Sequence, residues 1–348
     1  MTENENQKLQ DGKINVGVDL GTSNLRIYVE GRGTVFKEPS ILAIDKATHK
    51  VVSVGFEAAQ LVGKVHDKVE VIKPLNGGVI SDIDMIREIL MFTFDKIFAS
   101  GASTINRLLI CTPSEITETE KEAIVILGKE LGVKETRIEE EIKAAAIGGG
   151  ISIYAPSGHM VIDIGGGTTS FGIISLGDVV LSKSTKVAGE YFDKQIMHYV
   201  KEKYKLEIGP QTAEKIKITL ASLNGDYPRD DEGNVITYNA MGRDLVTGLP
   251  RMDVITPEEV REILLECFES IKSTLIATLE ITPPELSGDL VENGILVTGG
   301  GALIKGIKEY IEDITHIKVT TAPNPINAVI DGTKKLLKNE KQHYYGDY

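Results

Sequence analysis

Two aspartates at the ends of apolar runs, Asp19 and Asp163, are each followed by a glycine-containing turn that carries hydroxyl side chains. After Asp163 the turn is Gly165–Gly167 with two threonines, and a second apolar run follows. This pattern predicts a β-hairpin with a tip made mostly of backbone. Glycines allow N–H groups at such a tip to converge on one anion, and a carboxylate at a strand end can hold the water shell of Mg²⁺. The alternative is a glycine hairpin turn without a ligand.

The order of residue types after Asp19 repeats the order after Asp163. In this first copy the turn is Gly21-Thr22-Ser23-Asn24, and another apolar run follows it. Two copies of a hairpin suited to gripping phosphate predict an internal duplication, with two similar domains facing each other across a cleft. A nucleotide would then be held from both sides.

Three further groups could contact such a nucleotide. Glu141 lies near the start of a predicted Ala-rich helix, where it either orients a water for attack on a phosphate or only complements the helix dipole. Glu214 and Lys217 share one face of a predicted helix, as a ribose-and-base contact or as a surface ion pair. Gly299–Gly301 follow a strand and precede a predicted helix, so their backbone could approach a flat ligand such as adenine.

The composition indicates a soluble globular chain that is long enough for two hydrophobic cores. The 348 residues are 41% hydrophobic and 26% charged, and the net charge of −13 argues against general nucleic-acid binding. Two cysteines, Cys111 and Cys267, imply no disulfide framework and fit a reducing cytoplasm. Residues 1–12 are polar and predict a disordered tail rather than a signal peptide. No run approaches the roughly 18 apolar residues of a spanning helix.

Helices must position these groups beside the hairpins. Ile97 and Phe98, at the end of one predicted helix, either close that helix onto its core or form a membrane anchor at a loop edge. Capping-box spacing and helix-start residues support several of the helices. The predicted helices are Met85–Phe98, Thr117–Leu131, an Ala-rich helix from Glu139, Tyr191–Tyr204, 209–220, Thr256–Glu280 and a last helix from Pro325.

Together these motifs resemble the superfamily of actin, sugar kinases and seventy-kilodalton chaperones, and within it the MreB-type bacterial actins. The resemblance covers nearly all of residues 13–337. Two of the motifs, Arg243–Pro250 and Thr282–Leu286, have no evident nucleotide chemistry and separate the MreB type from other superfamily members. The remaining carriers are 19–24, Glu38-Pro39-Ser40, Lys73-Pro74, 78–82, 163–169, Val187–Gly189, Thr212–Lys217 and Thr298–Leu303.

The resemblance implies an α/β protein with the actin-like ATPase fold, in which two duplicated RNase H-like domains surround a nucleotide cleft and each carries a smaller subdomain. The implied divisions are a tail at 1–12, domain I at 13–145 with a subdomain at about 34–72, and domain II at 146–320 with a subdomain at about 184–250. A C-terminal helix at 321–337 would return to domain I, and 338–348 would form a second tail that bears lysines.

The resemblance also assigns site residues for ATP and Mg²⁺. Glu141 and Thr168 would set up the attacking water, although Glu140 stands beside Glu141 as an alternative. Asp19 and Asp163 would order Mg²⁺ through its waters. The matched nucleotide contacts are Thr22, Ser23 and Asn24 in the first phosphate loop, Gly165, Gly166 and Gly167 in the second, Glu214, Lys215, Ile216 and Lys217 at the ribose and base, and Gly300, Gly301, Ala302 and Leu303 at the adenine.

The chain departs from the family pattern directly after Glu141. The family usually has Pro and then Met there, whereas this chain has Ile142 and Lys143. A lysine so close could lower the pKa of the carboxyl that activates water or draw it aside, which bears on hydrolysis more than on binding. These departures suggest a divergent paralogue, with MreB-like proteins of wall-less, swimming helical bacteria among the candidates.

The function implied is that of a slowly hydrolysing, ATP-binding bacterial actin that determines cell shape or motility. It would be cytoplasmic and polymerise into double protofilaments at the inner face of the cell membrane. Its partners would be further copies of itself, the membrane surface and other cytoskeletal or membrane proteins, and not nucleic acid. The alternatives are a sugar-type kinase on the same fold, a chaperone-like ATPase and a scaffold that binds ATP without turnover.

Overall fold

The computed structural model describes residues 13–64, 67–98, 104–113 and 116–338. The described chain forms two compact units, which divide after Ser152 and again after Ile326. Unit 1 contains the residues up to Ser152 and those from Asn327 onward, and unit 2 is the continuous segment Ile153–Ile326. The tail expected at 1–12 lies outside the described residues, as does the tail expected at 338–348 except for Lys338.

Both units contain strands and helices. The strands are β1 (Lys13–Leu20), β2 (Asn24–Val29), β3 (Gly33–Pro39), β4 (Leu42–Asp45), β5 (Val51–Val54), β6 (Val69–Ile72), β7 (Leu75–Asn76), β8 (Val79–Ile80), β9 (Thr104–Thr112), β10 (Glu135–Glu140), β11 (His159–Ile164), β12 (Thr169–Ser175), β13 (Asp178–Thr185), β14 (Leu206–Glu207), β15 (Tyr238–Asp244), β16 (Pro250–Ile255), β17 (Ile295–Thr298) and β18 (Val319–Thr321).

The helices lie between these strands, with two short 3₁₀ turns at Gly300–Leu303 and Pro325–Asn327. They are α1 (Phe56–Ala59), α2 (Ile83–Phe98), α3 (Glu118–Glu130), α4 (Glu141–Gly148), α5 (Gly189–Tyr204), α6 (Pro210–Leu220), α7 (Pro257–Glu280), α8 (Pro284–Asn293), α9 (Ile307–Thr315) and α10 (Ala328–Lys338).

The two units contain five-stranded sheets of the same topology. In unit 1 the strand order is β10-β9-β1-β2-β3, and in unit 2 it is β13-β12-β11-β17-β18. Each sheet begins with three antiparallel strands, after which a crossover returns the chain to a strand parallel to the first. A smaller three-stranded sheet accompanies each, β5-β4-β6 in unit 1 and β14-β15-β16 in unit 2. The expected duplication, with a smaller subdomain in each half, is therefore confirmed.

Hydrophobic packing determines where the central strands lie. β12 is buried along its whole length, as expected for a strand covered by helices on both faces. The core of unit 2 includes a stacked ring pair, Phe192 on α5 and Phe268 on α7, with centroids 5.5 Å apart. The core of unit 1 is built around residues that are fully buried on its sheet: Val16, Val18, Leu25, Ile27 and Ile110.

Helix starts mostly follow the predicted signals. The capping boxes at Thr117 with Glu120 and at Thr256 with Glu259 both form, so the predictions for α3 and α7 are confirmed. The Ala-rich helix begins at Glu141, two residues later than expected, because 135–140 pair with β9 as the strand β10. The helix expected directly after Gly299–Gly301 is wrong: a single 3₁₀ turn forms there, and α9 begins only after Gly306.

Helix α10 packs closely on α4, the helix that begins with Glu141. A Cβ atom on Gly332 would overlap the carbonyl group of Ala144, and one on Gly148 would overlap that of Ala328. Lys335 Nζ also donates a 2.8 Å hydrogen bond to the carbonyl oxygen of Ile147 at the end of α4. The two backbones therefore touch through their glycines, and α10 fixes the position of α4.

Replacing Gly332 with alanine is expected to lower the free energy of unfolding by about 2 kcal/mol, because the two helices must separate to admit the new methyl group. Urea unfolding followed by circular dichroism measures the change. Gly288→Ala in α8 is the matched control, since a Cβ there meets no atom within 4 Å. The control is expected to be neutral or to stabilise by up to about 1 kcal/mol. Equal effects of the two substitutions would contradict the proposed contact.

Candidate functional site

The first predicted hairpin is formed by β1 and β2, with Asp19 near the end of β1. Arg26 lies opposite Asp19 on β2, and its Nη1 donates a 2.9 Å hydrogen bond to Asp19 Oδ2. Both side chains are buried. The pKa of Asp19 is raised, because burial disfavours the carboxylate more than Arg26 favours it. The motif did not identify Arg26, and only the strand register reveals its role.

The turn of this hairpin is attached to two other segments of unit 1. Ser40 Oγ donates to the carbonyl oxygen of Gly21 at 2.5 Å, and the Ser40 N–H donates to that of Ser23 at 3.1 Å. The Gly78 N–H donates to Thr22 Oγ1 at 3.2 Å. Ser40 and Gly78 belong to motifs that carried the resemblance without an evident role. In the structure, they position the first phosphate loop.

Three neighbouring strands bring Asp19 and Glu141 to the same edge of the sheet. Asp19 lies beside Cys111 of β9, and Cys111 lies beside Glu139 of β10. Glu141 follows directly as the first residue of α4 and is buried. Because these strands are parallel, their carboxyl ends meet at one edge. Burial raises the pKa of the Cys111 thiol, and the charges of Asp19, Glu139 and Glu141 add to this effect.

Lys143, the unusual residue after Glu141, has a carboxylate partner on the preceding strand. Its Nζ lies 3.1 Å from Glu139 Oε2, and both side chains are largely buried. Glu140 ends β10 and faces Thr112 in the ladder, whereas Glu141 belongs to the helix. The sequence pattern left these two neighbouring acids as alternatives. In the structure, Glu140 belongs to a strand and Glu141 to a helix.

In unit 2 the second hairpin and the third glycine segment lie side by side. Asp163 near the end of β11 is paired in register with Thr298 of the parallel strand β17. Thr298 Oγ1 donates a 2.9 Å hydrogen bond to Asp163 Oδ1, and both residues are buried. Gly299 has a φ of 81°, and a Cβ there would lie 2.8 Å from Asp163 Oδ1. Glycine is therefore required where these segments meet.

The predicted second phosphate loop, Gly165–Gly167, is attached to the first turn of α5 through the carbonyl groups of Gly165 and Gly166. The Gly165 N–H closes the turn on the Thr168 carbonyl oxygen at 2.9 Å. The N–H of Gly189 donates to the Gly165 carbonyl oxygen at 3.1 Å, and that of Glu190 to the Gly166 carbonyl oxygen at 2.8 Å. Within the described part of the chain, no hydrogen-bond acceptor is assigned to the N–H groups of Gly166 and Gly167. These groups fit an anion such as a phosphate.

Helix α6 reaches this loop through Lys217. Its Nζ donates to the Gly189 carbonyl oxygen at 2.8 Å and lies 2.8 Å from Asp193 Oδ1. The surface ion pair considered between Glu214 and Lys217 is therefore wrong, because Lys217 pairs with Asp193 and Glu214 is exposed. Burial raises the pKa of Asp193 to about 6 against the opposing effect of Lys217. Asp193 was not found from the sequence, since no motif links α5 to α6.

The other residues that were predicted to contact the nucleotide differ in their exposure to solvent. Lys215 is exposed on α6, whereas Ile216 is fully buried in the core of unit 2. On the 3₁₀ turn after Gly299, Ala302 is buried and Leu303 is 58% exposed. Thr168 is half-buried at the end of the second loop. The side chain of Ile216 contributes to packing, so a ligand could reach only its backbone.

Ile97 and Phe98 end α2 in half-buried positions against the core of unit 1. The ring of Phe98 meets that of Phe94 edge to face, with centroids 5.9 Å apart. Arg32 donates to the Ile97 carbonyl oxygen at 3.3 Å and lies over the Phe98 ring. The expected role of closing the helix onto its core is thus visible in these contacts. The described helices include none that is both long and apolar enough to cross a bilayer.

The structure therefore assembles the predicted residues into one group per unit. Among the described residues no cluster of three or more His, Cys, Asp or Glu side chains could hold a metal ion. The group in unit 1 is Asp19, Thr22, Ser23, Asn24 and Glu141, and the group in unit 2 is Asp163, Gly165, Gly166, Gly167, Thr168, Lys217, Gly300, Gly301, Ala302 and Leu303.

Known proteins resemble this chain over nearly its whole length. It is 43% identical over 324 residues to the cell shape-determining protein Mbl of Bacillus subtilis, covering 93% of this chain and 96% of that protein. It is 37% identical over 333 residues to the cell shape-determining protein MreB of Escherichia coli, covering 94% of each.

Solved structures give the same result for the fold. The crystal structure of MreB 5 of Spiroplasma citri bound to AMPPNP has a TM-score of 0.87 and 41% identity, covering 94% of this chain and 96% of that one. A MamK double helical filament has a TM-score of 0.75 at 21% identity, which bears on the fold alone. The sequence profile of the family described as MreB/Mbl protein matches residues 13–344. The duplicated actin-like sheets, the two phosphate-loop hairpins and these matches agree, and the chain belongs to the MreB/Mbl family.

Proposed function

We propose that this protein is an ATP-dependent cytoskeletal protein that determines cell shape and binds ATP through the phosphate loops of both units. The observation that carries this proposal is the second loop, where α5 holds the carbonyl groups of Gly165 and Gly166 and leaves the N–H groups of Gly166 and Gly167 for an anion. The relatives support it, since the Mbl and MreB proteins are named for cell shape and the Spiroplasma citri structure contains AMPPNP.

The carboxylates fit a magnesium ion that is bound through water. Asp19 and Asp163 are buried at equivalent strand ends, and each already accepts one hydrogen bond from its own sheet. The raised pKa of Asp19 shows that its charge is poorly compensated by Arg26 alone, so a nearby cation would favour it. When bound, Mg²⁺ would supply positive charge to the phosphate oxygens. Asp19 and Asp163 would orient its water shell.

Hydrolysis is assigned to Glu141 with the help of Thr168. Glu141 is buried at the first turn of α4, on the sheet edge that also carries Asp19. Its carboxylate would orient and polarise the attacking water, and the Thr168 hydroxyl would hold that water in line. Lys143, the residue that departs from the family pattern, has Glu139 as an ion-pair partner.

Self-association is the second part of the proposal. As for other bacterial actins, the chain would form double protofilaments when ATP is bound, and hydrolysis would weaken the closed state. The rival functions make different predictions. A sugar-type kinase needs a phosphoryl acceptor, a chaperone-like ATPase needs a peptide-binding domain, and a scaffold binds ATP without turnover.

Pelleting and phosphate release from one sample test the function as a whole. With ATP, ADP or no nucleotide, we expect ATP-dependent pelleting accompanied by phosphate release. Pelleting without phosphate release would favour the scaffold. Absence of pelleting under every condition, together with phosphate transfer to a sugar panel, would replace the proposal with the kinase.

Glu141→Ala is expected to keep nucleotide binding and to slow phosphate release by roughly 100-fold, because the attacking water loses its orienting carboxylate. Single-turnover phosphate release and ADP binding measure the two effects separately. Glu140→Ala is the companion variant, and we expect it to release phosphate much faster than Glu141→Ala.

Glu118→Ala is the matched control, since Glu118 is likewise the first residue of a helix, α3, and pairs on the surface with Lys121. It should hydrolyse ATP at the parent rate. A Glu141 variant that also hydrolyses at the parent rate would remove this residue from the catalytic group.

Contact with the inner membrane face is proposed to involve Ile97 and Phe98, which are half-buried at the end of α2. The Ile97→Ser, Phe98→Ser double variant is expected to lose most co-sedimentation with liposomes, because its apolar area no longer enters the lipid. Thermal melting shows whether the variant remains folded. Unchanged co-sedimentation of this folded variant would exclude this route to the membrane.

A further inference from the structure

The contacts around Gly189 form a continuous link from α6 to the second phosphate loop. The Lys217 ammonium group donates to the Gly189 carbonyl oxygen, and the Gly189 N–H donates to the Gly165 carbonyl oxygen. A Cβ atom on Gly189 would lie 3.3 Å from Gly165 O and 3.4 Å from Lys217 Nζ, so Gly189 packs closely against both groups. Gly189 thus receives Lys217 at its carbonyl oxygen and holds the loop through its N–H group.

Asp193 completes this link from within α5, one turn after Gly189. Its carboxylate lies 2.8 Å from Lys217 Nζ, and the two side chains are equally buried at 15% exposure. A lysine has three donors on a flexible stem, so a second acceptor is needed to hold it in one orientation. The carbonyl of Gly189 and the carboxylate of Asp193 together provide that orientation.

We propose that Asp193 is a positioning residue for nucleotide binding: it holds Lys217 on the Gly189 carbonyl and thereby fixes the loop Gly165–Gly167 on the first turn of α5. This inference rests on the proposed nucleotide function, because it concerns the same loop. Asp193 itself need not touch the nucleotide. Its effect on affinity passes through Lys217 and through the direction of the Gly166 and Gly167 N–H groups.

The electrostatics of Asp193 make this link sensitive to pH. Burial raises its pKa to about 6, Lys217 opposes that rise, and Glu214 of α6 and Glu190 of α5 add to it. This pKa lies above the ordinary value of an aspartate. At pH values below that ordinary pKa the Asp193 carboxyl therefore stabilises the folded state, and this stabilisation is lost as the pH rises through about 6. Acidification therefore neutralises the partner of Lys217 without weakening the fold through this group.

The test compares the parent with Asp193→Asn by calorimetric titration with ADP and with AMPPNP, each with Mg²⁺, at about pH 7.5 and about pH 5.5. At the higher pH, we expect the Kd of the variant to exceed that of the parent by roughly three- to ten-fold. At the lower pH, the two Kd values should approach each other, because Asp193 is then mostly protonated in the parent. Because the variant lacks the Asp193 carboxyl, the change in its Kd between the two pH values measures the effect of protonating the nucleotide's own phosphates.

Two further variants separate positioning from a loss of structure. Asp313→Asn removes an exposed carboxylate from α9 and should leave both Kd values at the parent level. Lys217→Gln should weaken binding at both pH values and show no convergence with the parent. If the parent binds nucleotide and Asp193→Asn matches it at both pH values, or differs equally at both, the inference is overturned. If the parent binds neither nucleotide, the proposed function fails first.

Discussion

The parallel pairing of the first strand of each sheet with the strand that follows its crossover is the constraint on which the site depends. In unit 1 β1 pairs with β9, and in unit 2 β11 pairs with β17. Parallel strands end at the same edge, so the residues after them are brought together whatever their distance in sequence. These strands are buried on both faces, and a slip of one residue would reverse the side chains at the sheet surface. The apolar residues of the strands thereby fix the polar groups at their ends.

The aspartates at these edges are buried, and each is stabilised by a neighbouring strand: Asp19 by Arg26 and Asp163 by Thr298. On helix α6, the half-buried Lys217 is paired with Asp193. Burial of a carboxylate is costly, and the raised pKa values of Asp19 and Asp193 show that a single partner does not fully offset that cost. Incomplete compensation suits a site for a charged ligand, since the ligand and its cation can supply the remaining interaction.

The hairpins, the duplicated topology and the capped helices could be predicted because each has a local signal in the sequence. The partners of the site residues could not be predicted from the sequence, since Arg26, Thr298 and Asp193 reach their sites through strand register or helix packing. The strand β10 was missed because its ETRIEE segment is mostly polar and charged, and only its pairing with β9 makes it a strand. The prediction of a helix directly after Gly299–Gly301 was wrong because three glycines favour a tight turn over a helix.

The contact between α4 and α10 has a consequence for the order in which the units can form during synthesis. Unit 2 is a continuous segment, and all of it is synthesised before α10. Unit 1 contains residues from both ends of the described chain, and α4 lacks its glycine-to-carbonyl contact until Ala328–Lys338 is available. Since domains tend to fold as their segments emerge, unit 2 should mature first and the helix that carries Glu141 last. A nascent chain would then position Glu141, the proposed catalytic residue, only after α10 has been made.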